Sequence, residues 1–142
     1  MTRIDFYILT AAASHDARAR FACRLAEKVW QKGYRVFIHT SSAFEAQQLD
    51  DLLWTFRAES FVPHAIASEP SCAPLPVLVG TGGEPALPLD LLINLSDVVP
   101  AYFQRFPRLA EIVEPNDAQR ELARRRYRHY REQGYSLRSH NV

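Results

Sequence analysis

Apolar residues along this chain come in short blocks separated by amphipathic stretches. Asp5-Phe6-Tyr7-Ile8-Leu9-Thr10 is an apolar run of strand length. Phe21, Ala22, Leu25 and Val29 then recur at helical spacing, and Gly33 stops that stripe. Arg35-Val36-Phe37-Ile38-His39-Thr40 is a second strand of the buried type. Ser42 and Glu45 have capping-box spacing and predict a helix carrying Leu49, Leu52, Leu53 and Phe56 on one arc. Further strands are expected at Pro76-Val77-Leu78-Val79, Leu91-Leu92-Ile93-Asn94-Leu95 and Ala110-Glu111-Ile112-Val113-Glu114, before a helix from about Asp117 to Gln133. Strand, helix, strand, helix is the order of a parallel sheet.

The first strand–helix turn is where such a sheet most often binds a nucleotide. Here it reads Thr10-Ala11-Ala12-Ala13-Ser14-His15-Asp16, without the glycines a phosphate cradle needs. Gly80-Thr81-Gly82-Gly83 follows a strand, but Pro85 and Pro88 come next, so no helix N-terminus is expected there for an anion. The expected fold class is therefore α/β: a single-domain three-layer sandwich over residues 1–142, with a mostly parallel, Rossmann-like sheet lacking a nucleotide-binding loop.

Composition adds little beyond an ordinary globule, at 142 residues with 47% hydrophobic and 23% charged residues. No apolar run approaches the roughly 18 residues of a membrane span, and no signal-peptide core opens the chain. Cys23 and Cys72 lack metal or redox spacing and read as buried free thiols of a cytoplasmic protein. The five histidines (15, 39, 64, 129 and 140) show no metal-ligand pairing, and no nucleophile motif is present. Asp50 and Asp51 point about 100° apart on a helix and read as a solvated face. No metal, cofactor or catalytic residue is expected.

Charge distribution is more telling than net charge. Residues 117–138 hold seven arginines against Asp117, Glu121 and Glu132, a net +4 in a chain that totals +1. On a wheel of about 100° per residue, Arg120, Arg124, Arg128 and Arg131 fall on one strip around Tyr127, with Leu122 and Ala118 turned towards the expected core. Such a strip suits the phosphates and bases of nucleic acid. It equally suits an acidic peptide with a terminal carboxylate and an aromatic side chain. A second group of interest is Trp54 with Phe61-Val62-Pro63-His64. Trp54 lies about 140° from Leu49 on the wheel, outside the apolar arc. Two readings stand for it: a residue turned inward to cap the core, or an exposed aromatic anchor of the kind interfaces favour. Phe61 to His64 is either a strand or loop packed on the sheet edge or a docking ledge.

The two segments, Trp54-Thr55-Phe56-Arg57-Ala58-Glu59-Ser60-Phe61-Val62-Pro63-His64 and Leu122-Ala123-Arg124-Arg125-Arg126-Tyr127-Arg128-His129-Tyr130-Arg131-Glu132-Gln133-Gly134-Tyr135, in this order and near these distances from the two ends, resemble the chi subunit of bacterial DNA polymerase III. The resemblance covers nearly the whole chain. It implies a non-catalytic accessory subunit of the clamp-loader assembly that grips the acidic, phenylalanine-ended C-terminal tail of single-stranded DNA-binding protein. It carries tail binding to Arg120, Arg124, Tyr127, Arg128 and Arg131, and puts Trp54 near the same pocket. It assigns Phe61, Val62, Pro63 and His64 to docking of the psi subunit, while leaving open whether another clamp-loader component or a repair helicase uses that ledge. Single-stranded DNA would then be met indirectly. The stretch Val113-Glu114-Pro115-Asn116 is shorter than the enterobacterial pattern, which leaves the apolar wall of the pocket undefined. The rivals are a direct nucleic-acid-binding module that uses the C-terminal basic helix, and a degenerate nucleotide-dependent enzyme of helicase-like ancestry.

Overall fold

The computed structural model describes residues 2–10, 16–56, 61–66, 75–81 and 89–142. Its strands are β1 (Arg3–Ile8), β2 (Val36–His39), β3 (His64–Ile66), β4 (Val77–Gly80), β5 (Leu91–Asn94), β6 (Arg108–Val113) and β7 (Ser136–Asn141). The helices are α1 (Ala17–Gln31), α2 (Ala43–Thr55) and α3 (Asp117–Glu132), with a short 3-10 turn at Phe103–Arg105. The strands form one sheet in the order β3-β4-β2-β5-β6-β1-β7, parallel at every pairing. The expected α/β sandwich is observed, with a wholly parallel sheet. β7 answers to no expected strand, and β3 begins only at His64, the last residue of the Phe61–His64 stretch.

Alternation along the strands divides the core in two, because successive side chains point to opposite faces. On one face Val36, Ile38, Val77, Val79, Ile93 and Ile112 pack against Ala22, Cys23 and Ala26 of α1 and Leu49 and Leu53 of α2. On the other Ile4, Phe6, Phe37, Leu92 and Leu109 pack against Phe103, Phe106 and, from α3, Ala123 and Tyr130. Strands covered on both faces explain the unbroken apolar runs of β2, β4 and β5.

Local chemistry fixes the helix ends. Ser42 Oγ accepts from the Glu45 N–H at 3.2 Å, while the Glu45 carboxylate reaches back to the Ser41 N–H at 3.4 Å. Gly33 closes α1 at φ +92, a left-handed conformation that a side chain would resist. Cys23 is buried and unpaired, and burial pushes its thiol up to about 12. Cys72, residues 11–15 of the first turn and the glycines at 82 and 83 lie outside the described residues. Among the described residues no helix is long and apolar enough to cross a membrane. Nor does any group of three or more His, Cys, Asp or Glu gather there as a metal site.

Candidate functional site

The basic helix is anchored by a buried polar cluster. Asn116 Oδ1 caps α3 by accepting from the Gln119 N–H at 2.9 Å, and Gly134, at φ +85, ends it. Beneath it, the Glu111 carboxylate of β6 is fully buried. It accepts from Arg126 Nε at 3.0 Å, from the Tyr130 hydroxyl at 2.6 Å and from Asn94 Nδ2 at 2.9 and 3.1 Å. Arg126 Nη1 also donates to the Asp97 carbonyl at 3.1 Å. Burial pushes the Glu111 carboxyl above its ordinary range, against the pull of Arg126. Burial likewise raises the Tyr130 phenol, and Glu111 adds to that rise.

This corrects the orientation expected for α3. Ala118 is exposed and Leu122 only half-buried; the inward face is Ala123, Arg126 and Tyr130. A wheel that sorts by hydrophobicity turns every arginine to solvent. Arg126 instead lies inside because a carboxylate waits under it. One of the seven arginines is thereby removed from the surface charge.

Rotating α3 this way brings Arg120, Arg124 and Tyr127 to its flank, over the β1–β7 edge of the sheet. There they line a cleft of about 290 Å³ with Phe6, Ile8, Val113, Ala123, Ser139 and Asn141. Tyr127 stands edge-on to Phe6 at 5.2 Å between ring centres. Arg120 is half-buried, and its Nε is shut off from solvent with no hydrogen-bond acceptor among the described residues. Arg124 is largely exposed; its only acidic neighbour among the described contacts is Glu121 at 3.5 Å, which also stands 3.8 Å from Arg125. The strip is thus not wholly free of acids, as the sequence had led one to expect. Arg128 and Arg131 are exposed further along α3 and do not line the cleft. The apolar wall comes from Phe6, Ile8 and Val113. Ser139 and Asn141 went unrecognised as cleft residues because β7 is a polar edge strand whose alternation carries no hydrophobic signal.

The aromatic group near Trp54 lies elsewhere. Trp54 is 51% exposed and meets Phe61, itself 68% exposed, edge-on at 5.5 Å. The Trp54 ring also leans on His64 at 4.6 Å. The outward reading of Trp54 is therefore the observed one. Its expected place beside the arginine pocket is corrected: it sits on α2, on the opposite face of the sheet from α3, and does not line the cleft. The Phe61–His64 ledge divides as well. Val62 is fully buried in the α1–α2 core and Pro63 is half-buried. The His64 ring is enclosed, with Nδ1 2.6 Å from the Val62 carbonyl and Nε2 3.1 Å from the Asp50 carbonyl. Only Phe61 of the four offers a large exposed surface. Alternation where the chain enters β3 turns Val62 and His64 inward.

A larger hollow of about 550 Å³ opens at the carboxyl ends of β2, β5 and β6, the position where doubly wound sheets hold ligands. Among the described residues Asp16, Glu45, Asp51 and Glu114 line it, with Arg18 as the one cation. That is the wrong sign for a phosphate group.

Fold and surfaces together define a parallel α/β domain whose cations and aromatics gather outside the core, at a cleft and at one end of the sheet. The chain belongs to the DNA polymerase III chi subunit family: the family model described as DNA polymerase III chi subunit, HolC, matches residues 1–138. Relatives named DNA polymerase III subunit chi match along nearly their whole length. The protein from Pseudomonas aeruginosa is 44% identical over 142 residues, 100% of this chain and 98% of that protein. The one from Haemophilus influenzae is 35% identical over 139 residues, 97% and 96% of the two chains. The one from Escherichia coli is 32% identical over 141 residues, 96% of each. These matches place the chain among replication accessory proteins. The crystal structure of T4 UvsW superposes with a TM-score of 0.68 at 10% identity, covering 99% of this chain and 42% of that one. That likeness concerns the fold alone.

Proposed function

We propose that this chain is a non-catalytic, cytoplasmic replication adaptor that joins the DNA polymerase III clamp loader to single-stranded DNA-binding protein by gripping that protein's acidic C-terminal tail. The observation that carries the reading is the cleft beside α3. Its floor of Phe6, Ile8, Val113 and Ala123 suits an aromatic side chain, and Tyr127 offers a ring edge or face. Arg120, with a buried Nε that no atom among the described residues satisfies, and Arg124 at the mouth suit a terminal carboxylate. Arg128 and Arg131 continue the positive potential along the helix for the acidic residues that precede the tail's end.

Exposed ion pairs contribute roughly 0.2–1 kcal/mol each, so one tail should bind with micromolar affinity, about 8 kcal/mol in all. Many tails on a coated strand would raise the effective grip. In the same reading, Phe61 with Trp54 attaches the domain to the polymerase side, through psi or another clamp-loader component, and a repair helicase is a competing user of the pair. Titration calorimetry with full-length single-stranded DNA-binding protein and with a version lacking its tail tests the proposal. Micromolar heat with the first and none with the second is expected; equal heats would overturn it.

A further inference from the structure

We propose that the face of the sheet end turned away from α3 is a second ligand site, one that takes single-stranded nucleic acid directly. Along β1, Ile4, Phe6 and Ile8 go beneath α3, so Arg3, Asp5 and Tyr7 project from the opposite face. The register sets Arg108 of β6 beside Arg3, Arg138 of β7 beside Asp5, and His140 beside Tyr7. On this side α1 packs over β2 and β6, and its Phe21 ring lies against Tyr7 at 5.4 Å, leaving Tyr7 half-buried. β7 closes the sheet with its side chains largely in solvent.

Two guanidiniums on neighbouring strands, Arg3 and Arg108, therefore share one carboxylate, while Arg138 on the third strand stands beside them without an acidic partner in contact among the described residues. Asp5 is buried, 3.4 Å from Arg3, 3.5 Å from Arg108 and 2.9 Å from His140 Nε2. Both arginine side chains remain 42% and 50% exposed, and Arg138 is exposed. Asp90, at the far side, is engaged by the Arg35 N–H at 2.8 Å. The surplus is positive, and it forms a short track roughly 5 Å per step across the strands.

Flat rings lie along that track. His140 stacks on Tyr7 at 5.0 Å and 21°. β7 is the edge strand of the described sheet, so the outer side of the imidazole faces that edge. Next to it a hollow of about 230 Å³ is lined by Tyr7, Tyr34, Pro107 and Arg108, with Asp5 and Asp90 also on its wall and Tyr34 half-exposed; the rings suit a base, while the phosphates would follow the arginines outside it. Cations for phosphates beside rings for bases are the two elements of sequence-tolerant single-strand binding. An acidic peptide without aromatic side chains would use the cations and leave the rings idle. This surface is separate from the α3 cleft and stands whether or not that cleft binds a tail.

The test is fluorescence anisotropy of the intact chain with a labelled oligothymidine of about 16 nucleotides, in the length range of single-strand sites. Arg138→Glu is the lead variant, because Arg138 makes no contact with buried Asp5 that its loss would break. It should weaken binding about fivefold or more and reduce the dependence on salt by roughly one phosphate. Tyr34→Ala should weaken it comparably, while Arg124→Ala should leave it unchanged. Arg138→Glu should in turn leave tail-peptide binding unchanged, which separates failure here from failure of the adaptor reading. Absence of binding at low salt would overturn the proposal. So would loss of binding in Arg124→Ala but not in Arg138→Glu, or competition by polyglutamate as effective as that by unlabelled oligothymidine.

Discussion

Replacing Arg126 by methionine puts the buried anchor of α3 under direct strain. Methionine keeps much of the side-chain volume, so packing loss is small beside the electrostatic change. Glu111 is fully buried and would keep only the Tyr130 hydroxyl and the Asn94 amide as donors. Leaving a buried charge without its partner costs about 3–5 kcal/mol. That is a large part of a typical stability of roughly 5–15 kcal/mol. At about 2–4 °C per kcal/mol for a chain of this size, the melting temperature should fall by roughly 10 °C. Glu111 already titrates above its ordinary value of 4.5 because burial opposes its charge, and losing Arg126 removes the largest opposing influence. A carboxyl whose folded-state pKa is raised supports the fold most below its unfolded value, and that support is lost as pH rises through the folded one. The deficit of Arg126→Met should therefore widen as pH climbs from the ordinary carboxylate range towards alkaline values. Adding Glu111→Gln should recover most of the loss and flatten the pH dependence. Urea unfolding of the native chain, the single variant and the double variant across that range is the assay. A deficit under about 1 kcal/mol, or one that does not change with pH, would refute the reasoning.

Other outcomes follow from burial. Phe61→Ala should change urea-unfolding stability by well under about 1 kcal/mol, since the ring is exposed, yet release the domain from polymerase-side partners in a pull-down; a buried phenylalanine would cost about 3–5 kcal/mol instead. Val62→Ala should do the reverse, lowering stability by about 2 kcal/mol without a separate effect on capture. Asn116→Ala should cost about 1 kcal/mol by thermal melting through loss of the α3 cap. Cys23, with its thiol pushed up to about 12, should resist a thiol reagent at pH 8 in the native chain and react after unfolding, as peptide mapping by mass spectrometry would reveal.

Much of the architecture was legible because strands buried on both faces write themselves as unbroken apolar runs: β2, β4 and β5 fall within a residue of where the pattern puts them. β7 was not legible. Ser136 to Asn141 is an edge strand of mostly polar residues, paired only with β1, and neither periodicity nor composition marks such a segment. Losing β7 also hid Ser139 and Asn141, and with them the shape of the cleft. The order of arginines on α3 was readable, but the wheel had no means of knowing that Glu111, on a strand before the helix, would draw Arg126 inward. Trp54 read correctly as lying off the apolar arc. Its neighbours did not, because pairing with Phe61 depends on how the chain returns to β3, a tertiary matter.

The central claim is that the cleft beside α3 grips an acidic tail, and fluorescence anisotropy with a labelled peptide of that tail tests it most directly. Arg124 stands at the cleft mouth, largely exposed, with Glu121 as its acidic neighbour. Arg124→Ala should therefore leave the fold intact while removing a bidentate partner for the terminal carboxylate. A central contact of this kind is worth about 2 kcal/mol or more, some thirtyfold in affinity. Arg138→Ala, on the other face of the sheet end, should bind like the native chain, and added salt should weaken native binding by screening Arg128 and Arg131. Equal affinity of the native, Arg124→Ala and Arg138→Ala chains would contradict the account.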